Sequence, residues 1–558
     1  MKLHHLTPDF AVSPQITSVD VVALKNAGFR TIICNRPDGE SLDQPSFAEI
    51  EMAAQRTGVN IHYLPVEPGK VTEQQLHEFG ALLQSTHTPT LAYCRTGIRS
   101  ATIWALSQAG KLPAADIRAM TKKAGYDFHD AVLPTAATRE RPVKPGDAPH
   151  DVVIVGGGAA GIATAASLLA RSPDLDIAII DPADTHYYQP GWTLVGRGIF
   201  TATDTARPMK SLIPRGVHWT KSAVMAFEPD RNAVILNDRR EVYYRQLIVC
   251  PGLTLDWNAV DGLVETLGRN GVTSNYSSKL APYTWELVQS LRGGRALFTQ
   301  PPMPIKCAGA PQKAMYLSAD YWRRAGVLDK VDINFFNAGA TLFGVPDYVP
   351  ALMEYIDLYD ITLQFSYNLI AVDGTTKLAT FLRTNADGST KSVTQYFDML
   401  HVVPPQKAPD FVRASPLVDK AGWVDVRPDT MQHKKWSNIH ALGDVGNTPN
   451  AKTAAAARVQ APVVAHNVLA ALGRVTGVAH YNGYGSCPLT VEHGKIVLAE
   501  FLYGGKVAPS FPTWMLDGKR PSRLAWLMKE RILPPLYWHG MLKGREWLVK
   551  PKLVGMQR

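Results

Sequence analysis

Three short stretches hold residue types whose spacing suits chemistry. In Tyr93-Cys94-Arg95-Thr96-Gly97-Ile98-Arg99-Ser100 a cysteine stands beside two arginines, after an apolar run (Thr90 to Tyr93) and before a helical pattern (Ala101 to Gln108). A helix N-terminus and neighbouring cations both favour a thiolate, so Cys94 is a candidate nucleophile. The loop amides would cradle an anion. In Ile305-Lys306-Cys307-Ala308-Gly309-Ala310-Pro311 a second cysteine stands beside a lysine at an expected helix start. The same two influences favour a thiolate at Cys307. The third stretch is Val152-Val153-Ile154-Val155-Gly156-Gly157-Gly158-Ala159-Ala160-Gly161, followed by a helical pattern and a second apolar strand ending at Asp181. Strand, G-x-G-x-x-G, helix, strand and acid, in that order, form the dinucleotide-binding fingerprint. Gly156 allows the tight turn, Gly158 lets the backbone approach a pyrophosphate, and Gly161 lets helix and strand pack closely. Ala160 belongs to the same loop, and Asp181 can accept from a ribose hydroxyl.

These stretches need separate scaffolds. At 558 residues the chain is too long for one core and should form two to four domains. The expected class is α/β, with residues 1–132 as one domain, a linker over 133–150 rich in proline and charge, and a redox region over 151–485. Residues 486–558 are expected to form a C-terminal membrane-associating segment. In the first domain, Thr31-Ile32-Ile33-Cys34 and Thr90-Leu91-Ala92-Tyr93 read as buried strands, separated by helical patterns over Phe47 to Arg56 and Glu73 to Leu83. The redox region has its own strands at Arg295 to Phe298 and Val331 to Phe336. Five cysteines with no short pairing predict neither a disulfide framework nor a metal site. There is no apolar signal-peptide core and no run of membrane-spanning length, which predicts a cytoplasmic setting.

Ser437 to Asp444 reads as a strand ending in Gly443-Asp444. In flavoproteins with two dinucleotide-type domains, such a late Gly-Asp returns the chain to the first domain, with its Asp on the ribityl chain. Early fingerprint and late Gly-Asp together predict FAD. The middle strand ends Phe298-Thr299-Gln300-Pro301-Pro302 with no glycine cradle, and Asn337 to Gly344 lacks the spacing, so a pyridine nucleotide partner is not expected. From Trp514 onward, aromatic and aliphatic residues alternate with Lys519, Arg520, Arg523, Lys529, Arg531, Lys543 and Arg545. Such a tail suits an interfacial helix on the cytoplasmic face of a membrane, broken in two by Pro534-Pro535, with a quinone as electron acceptor. The alternative is a helical pair packed on the body. Basic residues interleaved with large aliphatics do not suit nucleic acid.

Two resemblances extend this reading. Cys94 and Arg99 are spaced C-x4-R, one residue short of the tyrosine-phosphatase C-x5-R. The upstream Leu64-Pro65-Val66-Glu67 offers only Glu67 as a leaving-group acid. The loop is similar to that of rhodanese-type sulfurtransferases, which carry a persulfide. With Val12 to Gln15 and Asn35 to Glu40, residues 4–130 resemble a phosphatase-like sulfur transferase family, leaving phosphoryl or sulfur transfer open. Arg36 and Asp38 are either site residues or a structural ion pair.

From about 151 to 545 the chain resembles sulfide:quinone oxidoreductase of the mitochondrial type. The carrying motifs are His186 to Gly196, Ser274-Asn275-Tyr276, Lys306 to Lys313, Gly443-Asp444, Lys452 to Ala456 and Gly483 to Leu489. That resemblance implies two Rossmann-like domains, FAD, a quinone site near a membrane and Cys307 as sulfur carrier. It also implies Gln189, Pro190 and Gly252 at the cofactor and Lys452 near the isoalloxazine. The family has a second redox cysteine directly after the late Gly-Asp, where this chain has Val445. Cys250 and Cys487 read as structural. The expectation is therefore oxidation of sulfide or a low-molecular-weight persulfide, with the second thiol supplied from outside or by a Cys94 persulfide. The alternatives are a flavin-dependent quinone reductase without sulfide chemistry, and a membrane-attached sulfur or redox sensor with a phosphatase domain. A homo-oligomer is compatible with all three.

Overall fold

The structure is a computed structural model describing residues 1–41, 43–67, 71, 73–85, 89–108, 114–126 and 148–554. It forms two compact units, Met1–Gly146 and Asp147–Arg558. The expected linker lies almost wholly outside the described residues.

The first unit is a five-stranded sheet in the order His4–Thr7, Phe10–Ser13, Thr90–Tyr93, Thr31–Cys34, Asn60–Tyr63. Its first pair is antiparallel and the rest are parallel. Thr31–Cys34 and Thr90–Tyr93 are buried at every position, as expected of central parallel strands covered on both faces. The helix Phe47–Thr57 starts where the Ser46 hydroxyl accepts from the Glu49 amide and stops at Gly58 in the left-handed region (φ 68°). Thr90–Tyr93 delivers Cys94 to the sheet edge, and the helix Ile98–Gln108 follows.

The second unit contains two such sheets. In the first, His150–Val155 lies between Ile177–Ile180 and Glu241–Val249, and Glu241–Val249 also pairs with Ile439–Ala441, all in parallel. The register aligns Val155 with both Ile180 and Val249, and Val249 with Ala441. Gly156, Asp181, Cys250 and the Leu442-Gly443-Asp444 turn therefore leave one edge of the sheet together, the edge where such folds bind ligands. Val272–Thr273, Met399–His401, Gly294–Gln300, Val331–Asn337 and Thr362–Phe365 form the second parallel sheet. The α/β class with Rossmann-like redox domains is as expected.

The C-terminal part departs from expectation twice. Residues after 485 do not begin a separate segment. Gly485–Glu492 and Lys495–Phe501 form an antiparallel hairpin whose Cys487, Leu489, Val491, Val497 and Ala499 share a core with Phe298 and helix Ala310–Arg324. Nor does Pro534-Pro535 break the helical tail. Helical backbone runs on through Leu533 (φ −65°, ψ −39°) and Pro535 (φ −60°, ψ −39°), between wide π turns at Met528–Ile532 and Leu536–Gly540. The prolines stand at the start of a short turn, where missing amide donors are least costly, and the wide turns absorb the changed hydrogen bonding. One face of this tail is buried: Tyr537, Trp538, Met541 and Leu542 join the core beneath helix Ala159–Arg171. Leu524, Leu527 and Ile532 remain exposed. Among the described residues, no helix is long and apolar enough to cross a membrane.

Candidate functional site: a dinucleotide cradle and a buried sulfur pair

The fingerprint loop is shaped by close approach. A side chain on Gly156 (φ 111°) would meet the Cys250 carbonyl at 2.5 Å, and one on Gly161 would meet the Gly156 carbonyl at 1.9 Å. Both glycines are thus required by the packing of helix Ala159–Arg171 on its sheet. Around Gly158 the space is open: a methyl group there would touch nothing within 4 Å. The helix starts at Gly158 with no side-chain cap and no acid in its first turn. Its free amides and positive dipole end suit a pyrophosphate. The Asp181 carboxylate accepts from the Gly157 amide (2.6 Å) and the Ala183 amide (2.8 Å), which holds it beside the loop. Gly443 (φ 74°) comes against Ala160, with 3.3 Å from its would-be Cβ to the Ala160 methyl. The structure therefore brings Gly156, Gly158, Ala160, Gly161, Asp181 and Gly443 together. Gly252 (φ 78°) follows the Cys250 turn and also opens on free space. Cys250 is buried with its thiol 3.6 Å from the Gly156 carbonyl, and burial pushes the thiol up, as suits a structural residue.

Asp444 leads from this cradle to a second group. Burial raises its carboxyl, with Lys452 and Lys306 pulling the other way. Lys452 donates to the Asp444 carbonyl (2.6 Å) and the Gly446 carbonyl (2.8 Å), and burial lowers its ammonium to about 8. Lys306 donates to Gln189 Oε1 at 2.6 Å and lies over the rings of Trp192 and Tyr276. Burial lowers it too, to about 8. Pro190 sits in the 3-10 turn Gln189–Gly191. Residues 306 and 452 form a parallel bridge, and the Cys307 amide donates to the Lys452 carbonyl at 2.8 Å. An open glycine loop, a bare helix end and buried lysines next to Asp444 form a donor set that fits an anionic dinucleotide carrying an electron-accepting ring.

Cys307 stands at the middle of this group. It is a non-glycine residue in the left-handed region (φ 47°), a conformation costing about 1 kcal/mol. Tyr276 Oη donates to the carbonyls of Lys306 (2.9 Å) and Cys307 (3.3 Å), and the Ala310 amide to that of Cys307 (2.7 Å), which fixes the loop. Lys313, one turn into helix Ala310–Arg324 and buried, places its ammonium 3.2 Å from the Cys307 sulfur. The Cys487 sulfur lies 3.7 Å from it. A hydrogen bond from the Cys487 thiol, then the Lys313 charge, hold Cys307 well below the usual thiol range against the opposing effect of burial. Cys487 is correspondingly driven well above that range. A fourth lysine closes the group. Lys529 from the helical tail is 5% exposed and donates to Thr490 Oγ1 at 2.6 Å; burial and Lys313 push its ammonium well below the ordinary range.

Sequence reasoning missed three of these residues. Cys487 read as structural, Lys529 as part of a basic surface, and Lys313 only as part of a motif. Val445, the expected gap, is fully buried in an apolar cluster with Val424, Val426 and Ile439.

In the first unit, Cys94 is buried, and the Gly97 amide donates to its sulfur at 3.2 Å. Arg99 makes a two-pronged ion pair with Glu40 (2.6 and 2.7 Å) and donates to the Val66 carbonyl. Arg36 also binds Glu40 (3.0 Å), with Gln15 and Ser41. Asp38 instead accepts from the Phe47 amide at a helix start, so Arg36 and Asp38 are not a pair. Glu40 is the anchor that sequence reasoning left out.

A family model described as pyridine nucleotide-disulphide oxidoreductase matches residues 150–281. Another, described as the phosphatase-like domain of beta-lactamase hydrolase-like protein, matches residues 2–111. The mitochondrial sulfide:quinone oxidoreductase of Dictyostelium discoideum is 42% identical over 405 residues, covering 72% of this chain and 88% of that protein. That of Mus musculus is 38% identical over 439 residues, covering 78% and 94%. A solved structure of the sulfide:quinone oxidoreductase from Aquifex aeolicus shares the fold, with a TM-score of 0.59 at 19% identity over 73% of this chain and 97% of that one. With relatives this similar along nearly their full length, and an open glycine loop and bare helix end that fit a dinucleotide, the chain belongs to the sulfide:quinone oxidoreductase family.

Proposed function

We propose that this flavin-dependent oxidoreductase oxidises sulfide at Cys307 and passes the electrons to a quinone. The observation that carries this reading is the Cys307 sulfur: 3.2 Å from the Lys313 ammonium, and tied through its own amide to Lys452 beside Asp444. Bound FAD supplies reversible two-electron chemistry between the sulfur donor and the quinone. The fingerprint amides and Asp181 would hold its adenosine half, and Asp444 and Lys452 the other. The Cys487 hydrogen bond and the Lys313 charge favour the Cys307 thiolate, and Lys306 and Lys452 supply positive charge where electrons arrive. Exposed Trp514, Leu524, Leu527 and Ile532, with exposed Arg520, Arg523 and Arg531, support attachment to an anionic membrane surface, where a lipid-soluble quinone is found. In the first unit, Cys94 in its amide loop serves as a sulfane-sulfur site. Loss of thiosulfate sulfurtransfer in Cys94→Ser checks that role, and hydrolysis of an aryl phosphate by the parent would favour a phosphatase instead.

The test of the main reading is anaerobic titration of the flavin-loaded protein with sulfide, alongside quinone reduction. The parent should bleach its flavin and reduce quinone. Cys307→Ser should keep its flavin and lose sulfide-dependent reduction by about 100-fold or more. A serine variant with the parent's rate would overturn the proposal.

A further inference from the structure

The expected second thiol, after Gly443-Asp444, is replaced by a valine packed in an apolar core. A different sulfur touches Cys307. Cys487 stands on strand Gly485–Glu492, 180 positions away in sequence, and its sulfur is 3.7 Å from that of Cys307. The contact is built rather than incidental. A side chain on Gly309 would lie 2.5 Å from the Cys487 sulfur and 2.4 Å from Leu489, so the Cys307 loop seats on this strand only because residue 309 is glycine. Two lysines that could have reached solvent are buried at the pair. Lys313 contacts the Cys307 sulfur, and Lys529 reaches in from the helical tail to Thr490, three residues along the Cys487 strand. Burying two amines is unfavourable unless anionic partners offset it. A pair of sulfurs that becomes anionic in turn is such a partner.

We propose that Cys487 is the sulfur partner of Cys307: the two close a reversible disulfide that accepts sulfide, taking over the role that position 445 cannot fill. This inference rests on the sulfide-oxidising reading above and adds the identity of the second sulfur. Hydrosulfide attacks the Cys307 sulfur, the less buried of the two. The Cys307–Cys487 bond breaks as a new sulfur–sulfur bond forms. Cys307 becomes a persulfide, and Cys487 leaves as a thiolate beside Lys313 and Lys529. A thiolate acceptor of low molecular weight then attacks the outer sulfur. It departs as the acceptor's persulfide and returns Cys307 to a thiolate. Both cysteines are now reduced, with one proton taken up between them. Re-forming the disulfide releases that proton and two electrons, and the family's flavin is the two-electron oxidant. The sum is one hydrosulfide and one thiolate converted to a persulfide with two electrons delivered.

The experiment uses the full-length, flavin-loaded protein. Alkylation without reduction after exposure to quinone, followed by peptide mapping, should yield a cross-linked peptide pair containing Cys307 and Cys487. Adding sulfide should dissolve the cross-link and add one sulfur to the Cys307 peptide. Cys487→Ser should keep its flavin and lose sulfide-dependent quinone reduction by about 100-fold or more. Two free alkylated cysteines after oxidation, or a Cys487→Ser variant as fast as the parent, would overturn the pairing. If Cys307→Ser is inactive in that case, the sulfide-oxidising reading survives without it; if Cys307→Ser is also fully active, that reading fails too. The map of the parent needs no substitution, so a misfolded variant does not leave the question open.

Discussion

Cys94 and Cys307 look alike in sequence and are built differently. Each follows an apolar stretch, precedes a helix and has a basic neighbour. At Cys94 a backbone amide, from Gly97, donates to the sulfur, and Arg99 faces that sulfur while it also pairs with Glu40, which Arg36 binds as well. At Cys307 the partners are an ammonium and a second sulfur, both buried. The first arrangement is an amide loop that can hold an anion arriving from solvent. The second meets charge from within: a thiolate formed at the pair lies against a buried ammonium, and closing the sulfur–sulfur bond takes that anion away. Proximity of a cation in sequence does not separate the two cases; what the cation is already bonded to does.

The sharpest way to break this contrast is to remove the internal cation. Lys313→Met takes away the ammonium 3.2 Å from Cys307. The hydrogen bond from Cys487 is the larger influence and stays, so Cys307 should move back only part of the way toward the ordinary thiol range. In reduced protein, the pH midpoint for alkylation of Cys307 should rise by about one unit or more, equal to about 1.4 kcal/mol. Cys94, followed in the same samples, is the internal control. Identical Cys307 profiles in parent and variant would show that Lys313 does not hold the thiolate. A smaller disturbance acts on the sulfur–sulfur distance. Gly309→Ala places a methyl group against Cys487 and Leu489, and overpacking of this kind costs about 1–3 kcal/mol. Thermal unfolding should register that loss, and the yield of the Cys307–Cys487 cross-link should fall with it. An unchanged yield would mean the loop can shift without separating the sulfurs.

How much of this was legible in the sequence depends on the range of the interaction. The fingerprint was legible because its glycines recur at a fixed spacing within one loop, where Gly161 must pass the Gly156 carbonyl five positions before it. Thr31–Cys34 and Thr90–Tyr93 were legible because strands buried on both faces read as short, mostly apolar runs, here after an opening threonine. Cys487 was not, because its partner is set by how a late hairpin packs on helix Ala310–Arg324, and no spacing encodes that. Lys529 misled for a physical reason. A lysine in a basic, aromatic tail is ordinarily solvated, and only Thr490 and the charged pair near it make burial tolerable. Pro534-Pro535 misled similarly, since at the start of a short helical turn flanked by π turns the prolines remove amide donors that have no partner to lose.

The mildest test concerns the other side of the comparison. Glu40 binds Arg99 through both oxygens and Arg36 through one, and its side chain is 20% exposed. The Arg99 hydrogen bond, foremost, holds its carboxyl below the usual range. A carboxylate depressed in the folded state stabilises the fold above its unfolded pKa of about 4.3, and that contribution is lost as pH falls through the folded value. Glu40→Gln keeps the shape and removes the charge, which should cost about 1–2 kcal/mol at neutral pH, because hydrogen bonds to a charged group are worth about that much. Below the folded pKa, parent and variant should converge, since the parent's carboxyl is then neutral as well. Following unfolding of the full chain by tryptophan fluorescence from neutral to acid pH reads both the gap and its closure. A gap that persisted in acid would place the effect in packing rather than charge. In that case the arginines around Cys94 would be held by the loop itself, as the lysines around Cys307 are held by their core.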